Sequence, residues 1–96
     1  MGKQEIINII RSSKPELATR YGVERLGLFG SYVRGQQRKR SDVDILVSFN
    51  REIDLFDFID LREHLEARLQ HKVDLVMESA LKPAIGKRIL DEVEYV

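Results

Sequence analysis

Between Ser41 and Phe49 the chain alternates Asp42 and Asp44 with Val43 and then runs into the apolar stretch Ile45-Leu46-Val47. Successive side chains of a strand point to opposite faces, so both acids leave the same face at the strand's start while Val43 and Ile45 line the other. Ionised carboxylates are costly in apolar surroundings. A sheet built around this strand therefore needs one covered face and one that is open at the acid end.

The remaining segments supply the cover. Residues 3–12 place Ile6, Ile7, Ile9 and Ile10 among polar side chains, a helical pattern with one wide apolar face. Pro15 suits the first turn of a second short helix, with Ser13 or Lys14 near its N-cap and Tyr21-Gly22 at its end. Val23–Phe29 reads as a strand. Gly30–Ser41, with two glycines and the basic run Arg38-Lys39-Arg40, reads as a turn with room for one helical turn and then an exposed loop. After the Asp42–Phe49 strand, a helix over about 54–70 is capped by Asp54 and striped by Leu55, Phe58, Leu61, Leu65 and Leu69, with Phe56 on the opposite side. Lys72–Met77 is predicted as a third strand, and Pro83 as the start of a last helix whose Ile85, Ile89, Leu90 and Val93 face the core. The order of elements predicts an α+β fold, a two-layer α/β arrangement in which helices cover one face of a small mixed sheet.

A length of 96 residues suits one domain, residues 1–96, and leaves little room for a substrate-binding domain beside a catalytic one. Any large substrate must bring its own surface. Lys+Arg and Asp+Glu balance at 16 each, so no overall field draws the chain to nucleic acid or to an anionic membrane. With no cysteine, disulfides, thiolate zinc sites and a cysteine nucleophile are excluded. The opening Met1-Gly2-Lys3-Gln4-Glu5 leads into an amphipathic segment and not a signal-type apolar run, so a cytoplasmic protein is expected.

Asp74, in Val73-Asp74-Leu75-Val76, is a third acid within a strand. Aspartate is depleted in strands. If the three converged to about 4 Å, each ionised pair would repel by about 4 kcal/mol at an effective dielectric near 20, so the trio would stay charged only beside cations. Carboxylate oxygens without cysteine or a nearby histidine favour Mg²⁺ or Mn²⁺, and two such ions suit an in-line displacement that releases pyrophosphate. Gly30-Ser31 follows a strand directly. Glycine lets the backbone approach a phosphate, its amides and the Ser31 hydroxyl can donate, and Arg34, Lys39 and Arg40 can neutralise the remaining charge. This is neither a Walker phosphate loop nor a dinucleotide fingerprint.

Taken together, Leu28-Phe29-Gly30-Ser31-Tyr32-Val33-Arg34-Gly35 and Ser41-Asp42-Val43-Asp44-Ile45-Leu46-Val47 resemble the signature of polymerase-β-type nucleotidyltransferases, in which Gly-Ser precedes Asp-x-Asp by ten residues. The likeness is strongest to the minimal nucleotidyltransferases, which are encoded beside HEPN-domain toxins as their antitoxins. It extends to the N-terminal helices, Tyr21-Gly22-Val23, the long middle helix and the closing Glu92-Val93-Glu94-Tyr95. The resemblance implies a palm-type sheet, with Gly30 and Ser31 holding a nucleoside triphosphate, Asp42 and Asp44 binding Mg²⁺, and Asp74 supplying a third carboxylate that helps activate the acceptor. It also implies that ATP is the AMP donor and that a tyrosine hydroxyl of a HEPN ribonuclease is the acceptor.

Plainer readings stand beside these. Asp42 alone is an ordinary strand-start acid, and Asp74 an exposed one paired with Lys72 or an arginine. The basic run 38–40 is a solvated loop, and His64 and His71 are surface residues. Phe56 marks either a partner surface, in a homo- or hetero-oligomer, or a single exposed aromatic. The functional alternatives are an antitoxin that acts only by binding its toxin, and a catalytic subunit that modifies a small molecule such as an aminoglycoside.

Overall fold

The computed structural model describes residues 1–96. The first helix, α1, is continuous over Lys3–Tyr21 with Pro15 inside it. Expectation and outcome differ here: Pro15 does not begin a second helix. A mid-helix proline removes one backbone bond and costs about 3 kcal/mol. Against that, Ile6, Ile10, Ser13, Leu17 and Tyr21 recur at helical spacing and are all buried, so a break at Pro15 would strip the lower half of this face from the core. Ser13 Oγ donates to the Ile9 carbonyl at 2.9 Å, and Pro15 itself faces solvent, where water can serve the freed carbonyl of Arg11. Gly22, at φ 74°, ends the helix with its N–H on the Ala18 and Leu17 carbonyls.

Strand β1, Val23–Phe29, pairs antiparallel with β2, Val43–Phe49, and β2 pairs parallel with β3, Val73–Met77. Between β1 and β2 lies a single helical turn, α2, Ser31–Arg34. The parallel crossover from β2 to β3 runs through α3, Leu55–Leu69, whose N-cap Asp54 accepts from the Asp57 N–H at 2.8 Å, as the sequence led us to expect. A 3-10 turn, Glu78–Ala80, leads to α4, Pro83–Glu92, and a two-residue strand β4, Glu94–Tyr95, returns to the free edge of β1. The sheet order is β3-β2-β1-β4.

Helices α1 and α3 cover one face. Their Ile6, Ile10, Leu17, Leu61, Leu65 and Leu69 meet Leu26, Leu28, Val43, Ile45, Val47, Val73 and Leu75 in one core. The opposite face presents Gly27 and Phe29 from β1, Asp44 and Leu46 from β2, and Asp74 and Val76 from β3, since these are the register partners that alternate with the core residues. Burial increases along α3: Leu55 is 68% exposed, whereas the stripe from Leu61 onward is buried. Helix α4 departs further from expectation, because Ile85 and Leu90 are exposed and only Gly86 is buried. It lies along the rim of the second face, where Val93 approaches Gly27 so closely that a Cβ there would stand 2.5 Å from the valine methyl. The amphipathic pattern was real, but the main core was already filled by α1 and α3.

The continuous α1 makes a clear prediction. Pro15→Ala should raise stability in urea unfolding by about 1–3 kcal/mol, because it restores a helical hydrogen bond and removes a ring clash. A proline that opened its own helix would give no gain or a loss.

Candidate active site

At the end of β1 the chain turns at Gly30, with φ 80° and ψ −152°, a conformation that residues with a Cβ rarely adopt. The reason is a close approach: a Cβ at Gly30 would stand 2.0 Å from Asp44 Oδ2. The β1–β2 register puts Phe29 opposite Asp44, so the backbone that leaves β1 passes directly over that carboxylate. Ser31 opens α2 immediately afterwards, and Gly35, in the left-handed region, closes it. Gly30 and Asp44 are thus in contact although they lie on different strands' ends, and Ser31 follows Gly30 directly.

Asp44 and Asp74 are direct register partners across the parallel β2–β3 pair. Asp42 leaves the same face from just before β2. Asp42 and Asp74 are exposed and Asp44 is half-buried. The crowding is visible in its acidity: burial, then the charges of Asp74 and Asp42 and a side-chain hydrogen bond with Asp74, push Asp44 up from 3.8 to about 6, against a smaller lowering by Arg34. Asp74 takes part in none of the chain's ion pairs, so pairing with Lys72 does not account for it.

A hard divalent cation fits this donor set, because it would relieve the repulsion that raises Asp44. The three acids do not form a closed cage around one point. Mg²⁺ is commonly held by one or two carboxylates with substrate phosphates completing its shell, and the Asp44–Asp74 pair with Asp42 beside it matches that open arrangement.

Two depressions flank the carboxylates. One, of about 250 Å³, is bounded by Gly30, Arg34 and Asp44 on the sheet side and by Ile85, Arg88 and Glu92 of α4 on the other. The second, of about 410 Å³, lies across Asp42 and contains Arg40, Gln70, His71 and Lys72. Arg34 and Arg40, grouped together by sequence, therefore line different depressions, Arg34 with Asp44 and Arg40 with Asp42. The largest depression, about 620 Å³, lies at the other end of β2 around Ser48 and Phe49 and carries none of the three acids. We place the site at the carboxylates because the chemistry is there.

Two residues of the first depression had no signal in the motif. Arg88 and Glu92 arrive on α4, and Glu92 takes the Gly30 N–H at 2.5 Å and Arg34 Nη1 at 2.9 and 3.1 Å. Only their spacing of four on one helix could have suggested that they act together. The histidines are less idle than expected: His64 lies 3.0 Å from Glu16, and His71 Nε2 lies 3.3 Å from the hydroxyl of buried Tyr32 behind Ser31.

Comparison with known proteins bears directly on this geometry. The sequence pattern of the nucleotidyltransferase domain family matches residues 10–96. A protein adenylyltransferase MntA of Thermococcus cleftensis is 53% identical over 93 residues, which are 97% of this chain and 94% of its own. The protein adenylyltransferase MntA of Shewanella oneidensis is 34% identical over 76 residues, 79% of this chain and 50% of its own. A solved structure described as a minimal nucleotidyltransferase superposes with a TM-score of 0.80 at 35% identity, covering 98% of this chain and 95% of the other. The complex of a tri-AMPylated Shewanella oneidensis HEPN toxin with MNT antitoxin gives a TM-score of 0.62 at 22% identity over 96% of this chain and 66% of the other, a likeness of fold alone.

The raised Asp44 makes a signed prediction about stability. A carboxyl whose folded pKa lies above its unfolded value contributes stability that is complete below about pH 3.8 and is lost as pH rises through about 6. Asp44→Asn stays neutral at every pH, so in metal-free buffer it should melt higher than the wild type at pH 8, with the difference vanishing towards pH 4. A difference independent of pH would show that Asp44 is not electrostatically strained.

Proposed function

The chain belongs to the nucleotidyltransferase domain family, and on that premise we propose that it transfers AMP from ATP to a hydroxyl group, a tyrosine of a HEPN ribonuclease toxin, and so acts as the toxin's antitoxin. The observation that carries this reading is the close group on the uncovered face: Asp44 beside Asp74 across two strands, with the Gly30 backbone resting on Asp44.

Each residue then has a task set by its position. The Gly30 and Ser31 amides, the Ser31 hydroxyl and Arg34 hold the triphosphate, since amides and a guanidinium fork are suited to phosphate oxygens. Arg40, which lines a depression with Asp42, adds positive charge for the nucleotide phosphates. Asp42, Asp44 and Asp74 would hold Mg²⁺, which would supply positive charge against the triphosphate and lower the pKa of the acceptor hydroxyl. Asp74, exposed on the edge strand, faces the incoming hydroxyl and takes its proton. The hydroxyl oxygen bonds to the α-phosphorus, the bond to the bridging oxygen breaks, and pyrophosphate leaves with that electron pair. The chain has no cover over this face beyond α4, so the protein that brings the acceptor also excludes water from it. A phosphate-bearing group on a toxin's active surface adds bulk and negative charge, which is enough to silence it.

Intact mass spectrometry tests the proposal. With Mg²⁺, ATP and a HEPN toxin as acceptor, the chain should add whole adenylyl units to that protein, and Asp42→Ala or Asp44→Ala should slow the transfer on the order of 10³-fold, the scale on which loss of a charge-stabilising group acts. Gly30→Ala should fail as well, because its methyl would displace Asp44. Toxin silenced without any change in mass would make the protein a binding antitoxin, and the proposed catalysis would be wrong.

A further inference from the structure

Helix α4 is poorly anchored by apolar packing: Ile85 is 60% and Leu90 47% exposed. Its C-terminal end is held by polar contacts. The Glu92 carboxylate accepts the Gly30 N–H at 2.5 Å and Arg34 Nη1 at 2.9 and 3.1 Å, and its side chain is only 26% exposed. These are two of the donors that the function proposed above assigns to nucleotide phosphates. One turn earlier on the same helix face, Arg88 borders the same depression and takes part in none of the chain's ion pairs.

A carboxylate and a phosphate present the same thing to an amide and a guanidinium, namely anionic oxygens that accept charge-assisted hydrogen bonds. They cannot share the donors, because two anions in one half-buried cradle repel each other. Glu92 is thus placed as an internal stand-in for a phosphate, and the free cation beside it is placed to meet the real one. Resting on the nucleotidyltransferase reading, we propose that ATP displaces Glu92 from Gly30 and Arg34, and that Arg88 then becomes a ligand of the β- and γ-phosphates. Glu92 withdraws by rotating its side chain, which leaves Arg88, one turn earlier on the same helix face, beside the vacated cradle. The link from α4 through Val93 to β4 stays in place, since β4 is hydrogen-bonded to β1. Arg88 is a phosphate ligand in this scheme, and Glu92 a competitor that sets how tightly the triphosphate must bind to enter.

Equilibrium binding of Mg²⁺-ATP and, separately, of inorganic tripolyphosphate tests this, alongside the KM for ATP in the AMP-transfer assay. Glu92→Gln should tighten both ligands about fivefold to tenfold and lower the KM, because the neutral amide competes less well and does not repel phosphate. Arg88→Ala should weaken both about tenfold, with partial recovery in Arg88→Lys. Glu92→Asp, whose shorter side chain reaches the cradle less well, guards against a folding artefact and should also tighten binding. If the Glu92 variants bind more weakly than the wild type while melting normally, Glu92 is a brace and the competition is overturned. Unchanged binding in Arg88→Ala overturns the phosphate role. Should these failures occur while AMP transfer proceeds, only this inference falls; if neither wild type nor variants bind ATP or tripolyphosphate, the nucleotidyltransferase reading falls with it.

Discussion

The close approach of the β1–β2 turn to Asp44 is the constraint on which the rest of the molecule depends. Phe29 sits opposite Asp44 in the antiparallel register, so the chain that leaves β1 has to pass over a carboxylate, and only glycine leaves space for it. That one contact fixes the distance between an amide-lined turn and the acids of β2. The parallel pairing of β2 with β3 then brings Asp74 alongside. The three acids are held together by backbone hydrogen bonds and by the apolar packing of Val43, Ile45, Val73 and Leu75 on the reverse of the same strands. The core on one face thus stabilises a repulsive arrangement on the other.

This division of labour explains the asymmetry of the fold. Helices α1 and α3 bury the apolar face so fully that α4 has no place there, and it settles on the rim of the acid-bearing face through polar contacts to Gly30 and Arg34 and a short strand. The result is a site walled on one side by α4 and open on the other. An open, charged face is poor at excluding water. The protein acceptor proposed above would complete the enclosure with its own surface.

Much of the site was legible from sequence because it depends on local pattern. Alternation placed Asp42 and Asp44 on one face, the Gly-Ser pair stood directly after a strand, and Asp54 capped α3 as its position suggested. Elements whose fate is set by competition for the core were not legible. Pro15 has a strong local meaning, yet the buried spacing of Ser13, Leu17 and Tyr21 with Ile6 and Ile10 overrides it. The last helix has a clean apolar stripe, but whether a stripe is buried depends on which helices have already taken the surface. Arg34 and Arg40 look equivalent as loop cations, and only the path of the chain puts them in different depressions, one with Asp44 and the other with Asp42.

Sequence by itself determined the three main strands, the long middle helix and the shared face of the paired aspartates, and it marked Gly30 as a place where the backbone can approach a partner closely, because these follow from the periods of strand and helix and from the absence of a Cβ. Tertiary structure alone decided that Asp74 lies level with Asp44, that α1 is one helix, and that Glu92 and Arg88 belong to the same site as Gly30. Strand register and the seating of α4 arise from contacts between segments far apart in the chain, and the free energy of such contacts is not encoded in the neighbourhood of any one residue.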